Sequence, residues 1–213
     1  MTNNMEISEL TAAVVDLEWQ MFTTTESLSG RTTCQDDETA FRINRLAQIA
    51  DWPAELLASY LADLKEAREN DRNLVSEKYG HMMKWTSPAE YQSIEHLLPE
   101  PDSESLALID QIVELVTSWE EETRAKYPNI AGRSRPLYSS QDSPSGPSVQ
   151  TYLRGELETY SPKTIRLYWE HVSGQKAANI NGAEEILAQI MKLSGYETPD
   201  AVEKALAGAG QAV

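Results

Sequence analysis

Glu18 is the first residue whose position invites chemistry. It lies four residues from both Val14 and Phe22, so a helix sets it on the margin of an apolar stripe. A carboxylate held there is paired, ligates a metal, or has its proton affinity raised by desolvation. A carboxylate just outside the stripe stays in water and does none of these. A second acidic group follows Ser29-Gly30-Arg31, in Thr32-Thr33-Cys34-Gln35-Asp36-Asp37-Glu38. A turn at Gly30 and a cap at Thr33 or Asp36 would open a helix there, with acids in its first turn offsetting the helix dipole. Adjacent carboxylates point in different directions, so one cap need not use both. Asp36 and Asp37 therefore stand beside Glu18 as candidate catalytic acids. Cys34 at such a helix start feels the positive dipole end, which favours the thiolate, while the two aspartates oppose it. Packing and reactivity are both open for it.

The cations are the complementary half. Arg42 and Arg45 follow the acidic turn and, like most arginines in an acidic chain, read as surface counter-charges. Arg133 and Arg135 sit in a loop, and Arg154 lies in Tyr152-Leu153-Arg154-Gly155-Glu156-Leu157. The planar guanidinium fork suits carboxylate or phosphate recognition, so these three are candidate substrate-binding residues. The histidines are His81, His96 and His171. Glu77 and His81 share a helical face, but there is no paired Glu-x-x-His motif of the kind that builds a di-iron centre. No metal ligand or cofactor is predicted, and a carboxylate-only magnesium or manganese site stays open. No Ser/His or Cys/His triad can be assembled.

The elements that must hold these groups are helices. Leu10, Val14, Leu17 and Met21 recur at helical spacing between about Ile7 and Phe22. A second helix is expected over Asp37 to Ala50, ended by Trp52-Pro53, and a third starts at Pro53. Asn73 to Lys84 reads as a shorter helix. Ser87-Pro88-Ala89-Glu90 reads as a capping box opening a helix to Leu98. Asp102 caps the longest helix, which ends before Tyr127-Pro128. Tyr152 to Tyr160 looks helical, Ser161-Pro162 and Thr198-Pro199 open further helices, and Ser194-Gly195 reads as a stop. Period-two alternation is nearly absent. The expected fold is all-α: a single irregular bundle of about eight to ten helices over residues 1–213. A long Pro/Ser/Gly-rich loop spans 128–147, and a tail follows over 207–213. That loop is either a linker or, through Ile130, Leu137 and Tyr138, an ordered segment pressed onto the bundle.

Composition narrows the function classes. Lys and Arg number 18 against 34 Asp and Glu, a net charge of −16, with an isoelectric point near 4.6. Such a chain repels phosphate backbones and anionic lipid, so nucleic-acid and membrane partners are excluded as expectations. The single Cys excludes a disulfide framework. No apolar run approaches the roughly 20 residues of a membrane span. Met1 to Glu9 lacks a signal-peptide pattern, which makes a reducing cytoplasm the expected compartment. A monomer and a homodimer are equally compatible with the sequence.

Several strings together resemble one family. Glu18-Trp19-Gln20-Met21-Phe22, Gly30-Arg31, Cys34-Gln35-Asp36-Asp37, Glu77-Lys78-Tyr79, Lys126-Tyr127-Pro128, Gly132-Arg133-Ser134-Arg135-Pro136-Leu137 and Thr151-Tyr152-Leu153-Arg154-Gly155-Glu156-Leu157 resemble the bacterial family catalogued as domain of unknown function 4125. The resemblance runs from about Ile7 to Tyr196. It implies that the polar residues of these strings share a job. Glu18, Asp36, Asp37, Arg133, Arg135, Arg154 and Glu156 gain functional weight from it, and Tyr79 and Cys34 a little. One departure is expected: relatives carry an aromatic residue after the acidic pair, where this chain has Glu38.

The reading these observations favour is a small soluble enzyme acting on a zwitterionic, amino-acid-derived metabolite. Glu18, Asp36 and Asp37 would supply acid–base chemistry. Arg133, Arg135, Arg154, Glu156, Tyr79 and Cys34 would bind substrate. Its rival is a non-catalytic helical module that senses a ligand or binds a protein, with Trp52, Trp85, Trp119 and Trp169 as core or interface anchors.

Overall fold

Helix-start residues set the architecture. Asn73, Asp102, Ser148, Ser161 and Asn181 each accept a hydrogen bond from the backbone N–H three residues on, satisfying donors that the first turn leaves open. The structure is a computed structural model that describes residues 2–25, 33–143 and 146–209. Among the described residues there are eleven α-helices: α1 Thr2–Thr24, α2 Glu38–Ile49, α3 Ala54–Glu69, α4 Leu74–Thr86, α5 Pro88–Ile94, α6 Ser103–Lys126, α7 Pro128–Ala131, α8 Val149–Leu157, α9 Pro162–Ala177, α10 Gly182–Leu193 and α11 Pro199–Ala209. The only β pairing among them is an isolated bridge between Ser143 and Gly146. The fold is all-α, as the sequence predicts.

α1 lies along α3 and against α2 and α4. α4 runs beside α8, α6 packs on α8, α9 and α10, and α10 reaches back to α2. The shared core holds Val14, Leu57, Leu64, Ile109, Ile112, Leu157 and Ile165, all fully or almost fully buried. Each large aliphatic side chain so buried contributes about 1.5–3 kcal/mol. Gly155 permits a close contact between two helices. A Cβ there would fall 2.7 Å from Met82 Cγ and 2.9 Å from the Lys78 carbonyl oxygen, so α4 and α8 approach this nearly only because position 155 has no side chain.

Two local expectations are corrected. Ser87 makes no side-chain cap for α5, because it is also the C-cap of α4, its N–H donating to Met83 O. α5 then ends at Ile94 in a 3₁₀ turn, Glu95–Leu97. The helix after the acidic turn is capped by Asp37, not by Thr33 or Asp36, which belong to the 3₁₀ turn Thr33–Asp36.

The loop expected over 128–147 carries the short α7 and a 3₁₀ turn, Ser139–Gln141. Pro128 at the first helical position permits the former. Leu137 is buried, and the Pro136 and Leu137 carbonyls accept the first N–H groups of α8. Residues 144 and 145 lie outside the described residues. Of the expected tail, 207–209 complete α11 and 210–213 lie outside the described residues. No helix among the described residues is long and apolar enough to cross a membrane.

Candidate functional site

Four helices send charged side chains to one place. Glu18 comes from the buried face of α1, between Val14 and Phe22. Arg45 comes from α2, one turn after Phe41 on the face that also presents Gln48. Lys78 comes from α4, one turn after Leu74. Glu156 comes from the last turn of α8. Arg45 Nε donates to Glu18 Oε2 at 2.5 Å, and Arg45 Nη1 donates to Glu156 Oε1 at 2.7 Å and Gln48 Oε1 at 2.9 Å. Lys78 Nζ donates to Glu156 Oε2 at 2.6 Å. The Tyr60 hydroxyl donates to Glu18 Oε1 at 2.6 Å, and the Tyr160 hydroxyl to Glu156 Oε1 at 2.7 Å. The two tyrosine rings lie 4.6 Å apart between centroids. The side chains of Glu18 and Arg45 are each only 7% exposed.

All of these hydrogen-bonded residues but Tyr160 line a hollow of about 110 Å³, whose other walls include Phe22, Phe41, Leu74, Val75, Tyr79 and Tyr152. One wall is charged and one apolar. Arg45 Nη2 is buried without a hydrogen-bond partner among the described residues. Its guanidinium lies 5.6 Å from the Trp52 ring centroid and 5.4 Å from that of Tyr60, where the negative ring faces offset the missing acceptor.

The two carboxylates are not equivalent. Burial pushes Glu18 up from its ordinary 4.5, and proximity to Glu156 adds to this against the opposing pull of Arg45. Burial acts on Glu156 too, but Arg45 and Lys78, with hydrogen bonds from Lys78 and Tyr160, hold it well below the usual carboxylate range. The asymmetry comes from Lys78, whose ammonium pairs with Glu156 and, among the described contacts, not with Glu18. Burial would lower Lys78, but Glu156 outweighs it and holds the ammonium above its ordinary range. Lys78 is therefore an anchor and not an amine nucleophile. Burial and the neighbouring carboxylates push both tyrosines up as well, so they remain donors. A glutamate with raised proton affinity beside a pinned one is the arrangement that separates an acid–base group from a fixed charge.

The other sequence candidates fall differently. Tyr79 lines the hollow. Asp37 does not: its Oδ1 accepts the Ala40 N–H at 2.9 Å as the cap of α2, and both it and Asp36 are exposed. The side chain of Cys34 lies outside the described residues. Arg133 is exposed, with its backbone N–H on the Ile130 carbonyl. Arg135 is exposed too and lies over the ring of Tyr152, a wall residue of the hollow, at 4.3 Å from its centroid. Arg154 points from α8 toward Asp110, Glu158 and the Trp85 ring. The expected meeting of N-terminal acids with downstream arginines is thus corrected. Glu18 and Glu156 meet around Arg45, and none of the three downstream arginines lines the hollow; on α8 the helical period turns Arg154 away from the face that carries Glu156.

Arg45, Lys78, Tyr60 and Tyr160 were missed by residue-type reasoning. Arg45 had a signal: it stands four residues after Phe41 and four before Ile49, the same spacing to apolar neighbours that singles out Glu18. His81 is buried with Nδ1 3.2 Å from Glu158 Oε2. No group of three or more His, Cys, Asp or Glu side chains among the described residues is placed to hold a metal.

A family model described as a protein of unknown function (DUF4125) matches residues 8–204. No curated protein and no solved structure matches the chain.

Proposed function

Because the chain belongs to the DUF4125 family of proteins of unknown function, we propose its role from the hollow itself: a soluble cytoplasmic enzyme acting on a small zwitterionic, amino-acid-derived metabolite. Glu18 is the proton-exchanging group. The observation that carries this reading is a buried carboxylate with raised proton affinity, lining a hollow and sharing Arg45 with a second carboxylate that is held ionised. General acid–base work favours a group whose proton affinity is moved toward the working pH. Glu156 holds Arg45 and Lys78 in position. Asp36 and Asp37, on the exposed start of α2, take no part in the step.

The test is depletion of one component from a pool of amino-acid-derived metabolites, followed by mass spectrometry. The unaltered chain is expected to consume one component. Glu18→Gln should consume none while melting within a few degrees of it. Unchanged consumption by Glu18→Gln sinks the catalytic role, and collapse of the fold makes Glu18 a structural pair member instead.

One observation favours a second reading. Each charge of the cluster already has an opposite partner inside the protein, as suits a module that binds its ligand without transforming it. On that reading a component is retained by the protein and released unchanged on denaturation.

A further inference from the structure

We infer that the occupant of the hollow is an α-amino acid with a short apolar side chain, whose carboxylate is selected by Lys78 and whose amine faces Glu18; this rests on the reading of Glu18 as the proton-exchanging group of the hollow. Of the two buried cations, Arg45 is already committed. Its Nε and Nη1 hold Glu18, Gln48 and Glu156, and its Nη2 is sealed from solvent. Lys78 is different. An ammonium has three N–H donors: Nζ gives one to Glu156, a second faces the Tyr152 side chain, whose ring centroid lies 3.6 Å away, and a third is left for a ligand. It lines the hollow and stays charged, so an entering carboxylate meets it first.

At the other end, each Glu18 oxygen accepts one described bond, from Arg45 Nε and from Tyr60. A carboxylate has about four acceptor sites, which leaves room for an ammonium. The apolar part of the lining is Phe22, Phe41, Leu74 and Val75. They offer nothing to pair with a charged side chain, whose burial would be costly. Size sets the last limit. A dry cavity of about 150 Å³ takes benzene, so about 110 Å³ suits a molecule near alanine or 2-aminobutyrate, whereas leucine or phenylalanine would have to extend out of the open side of the hollow.

Isothermal titration of the full chain tests this with glycine, alanine, 2-aminobutyrate, leucine, phenylalanine, aspartate, ethylamine and propionate. Alanine or 2-aminobutyrate should bind tightest. Ethylamine and propionate, each lacking one charged end, should bind about tenfold to a hundredfold more weakly, the loss of one charge-assisted hydrogen bond. Lys78→Met should erase the difference between alanine and ethylamine. Since that variant strips Glu156 of a partner and can fail to fold, Phe41→Ala is the second arm: widening the apolar wall should move preference toward leucine. Ethylamine binding as tightly as alanine, with binding lost in Glu18→Gln, overturns the carboxylate anchor and leaves the proton-exchange reading standing. Preference of the unaltered chain for leucine, phenylalanine or aspartate overturns the size and polarity limit. If nothing in the panel binds, the inference fails, and the metabolite-depletion assay decides the broader reading separately.

Discussion

Glu18 and Glu156 come from distant parts of the chain and lie buried around one arginine, whereas Asp36 and Asp37 are chain neighbours and both face solvent. Acid density marks the second pair far more visibly in the sequence, yet the first pair has the environment that alters carboxylate behaviour. The difference lies in the face each residue occupies. Glu18 sits among the core residues of α1, so folding strips its water and supplies Arg45 and Tyr60 in exchange. Asp37 sits at the solvent end of α2, where its carboxylate closes a backbone donor.

The largest expected effect breaks the inner pair. Arg45→Met leaves two buried carboxylates facing each other with only Lys78 nearby, and removing one partner of a buried ion pair costs about 3–5 kcal/mol. Urea unfolding measures this, and a loss below about 1 kcal/mol, the scale of an exposed pair, would show that the cluster is open to water.

Stability against pH separates the two members of that pair. Glu156 is held below its ordinary 4.5, so its contribution is present above that value and disappears as pH falls beneath it. Glu18 is held above 4.5, so its contribution is full below that value and is lost as pH rises through its elevated folded-state value. Urea midpoints from about pH 3 to 8 should therefore lose their acid-side decline in Glu156→Gln, and part of their decline above 4.5 in Glu18→Gln. The opposite assignment would reverse the roles given to the two carboxylates.

The smallest effect belongs to the outer pair. Asp37→Ala removes a helix cap and should cost about 1 kcal/mol, with no change in ligand binding. A change in binding would bring the exposed acids back into the site.

The helix series was legible because its signals are local. Asn73, Asp102, Ser161 and Pro162 act on the turn that follows them, and the structure uses each as the sequence suggests. Ser87 failed as a capping-box residue because the same residue also had to end α4, a conflict visible only once both helices exist. Within the site, Glu18 was legible from its spacing to Val14 and Phe22. Arg45 was hidden by its residue type, since arginine in an acidic chain reads as a surface counter-charge. Its burial depends on α1, α3 and α8 arriving from elsewhere. Lys78 and Glu156 were brought together by Gly155, through a close approach of two helices that no periodicity encodes.

Arg45 as the shared hub has a consequence for how the chain is made. A ribosome delivers Glu18, Arg45 and Lys78 well before Glu156, so the nascent first half carries two cations against one carboxylate. Burying the surplus charge is costly, and that half gains little by closing early. The cluster balances its charge only when α8 supplies Glu156, which ties the site in the early helices to completion of the late ones.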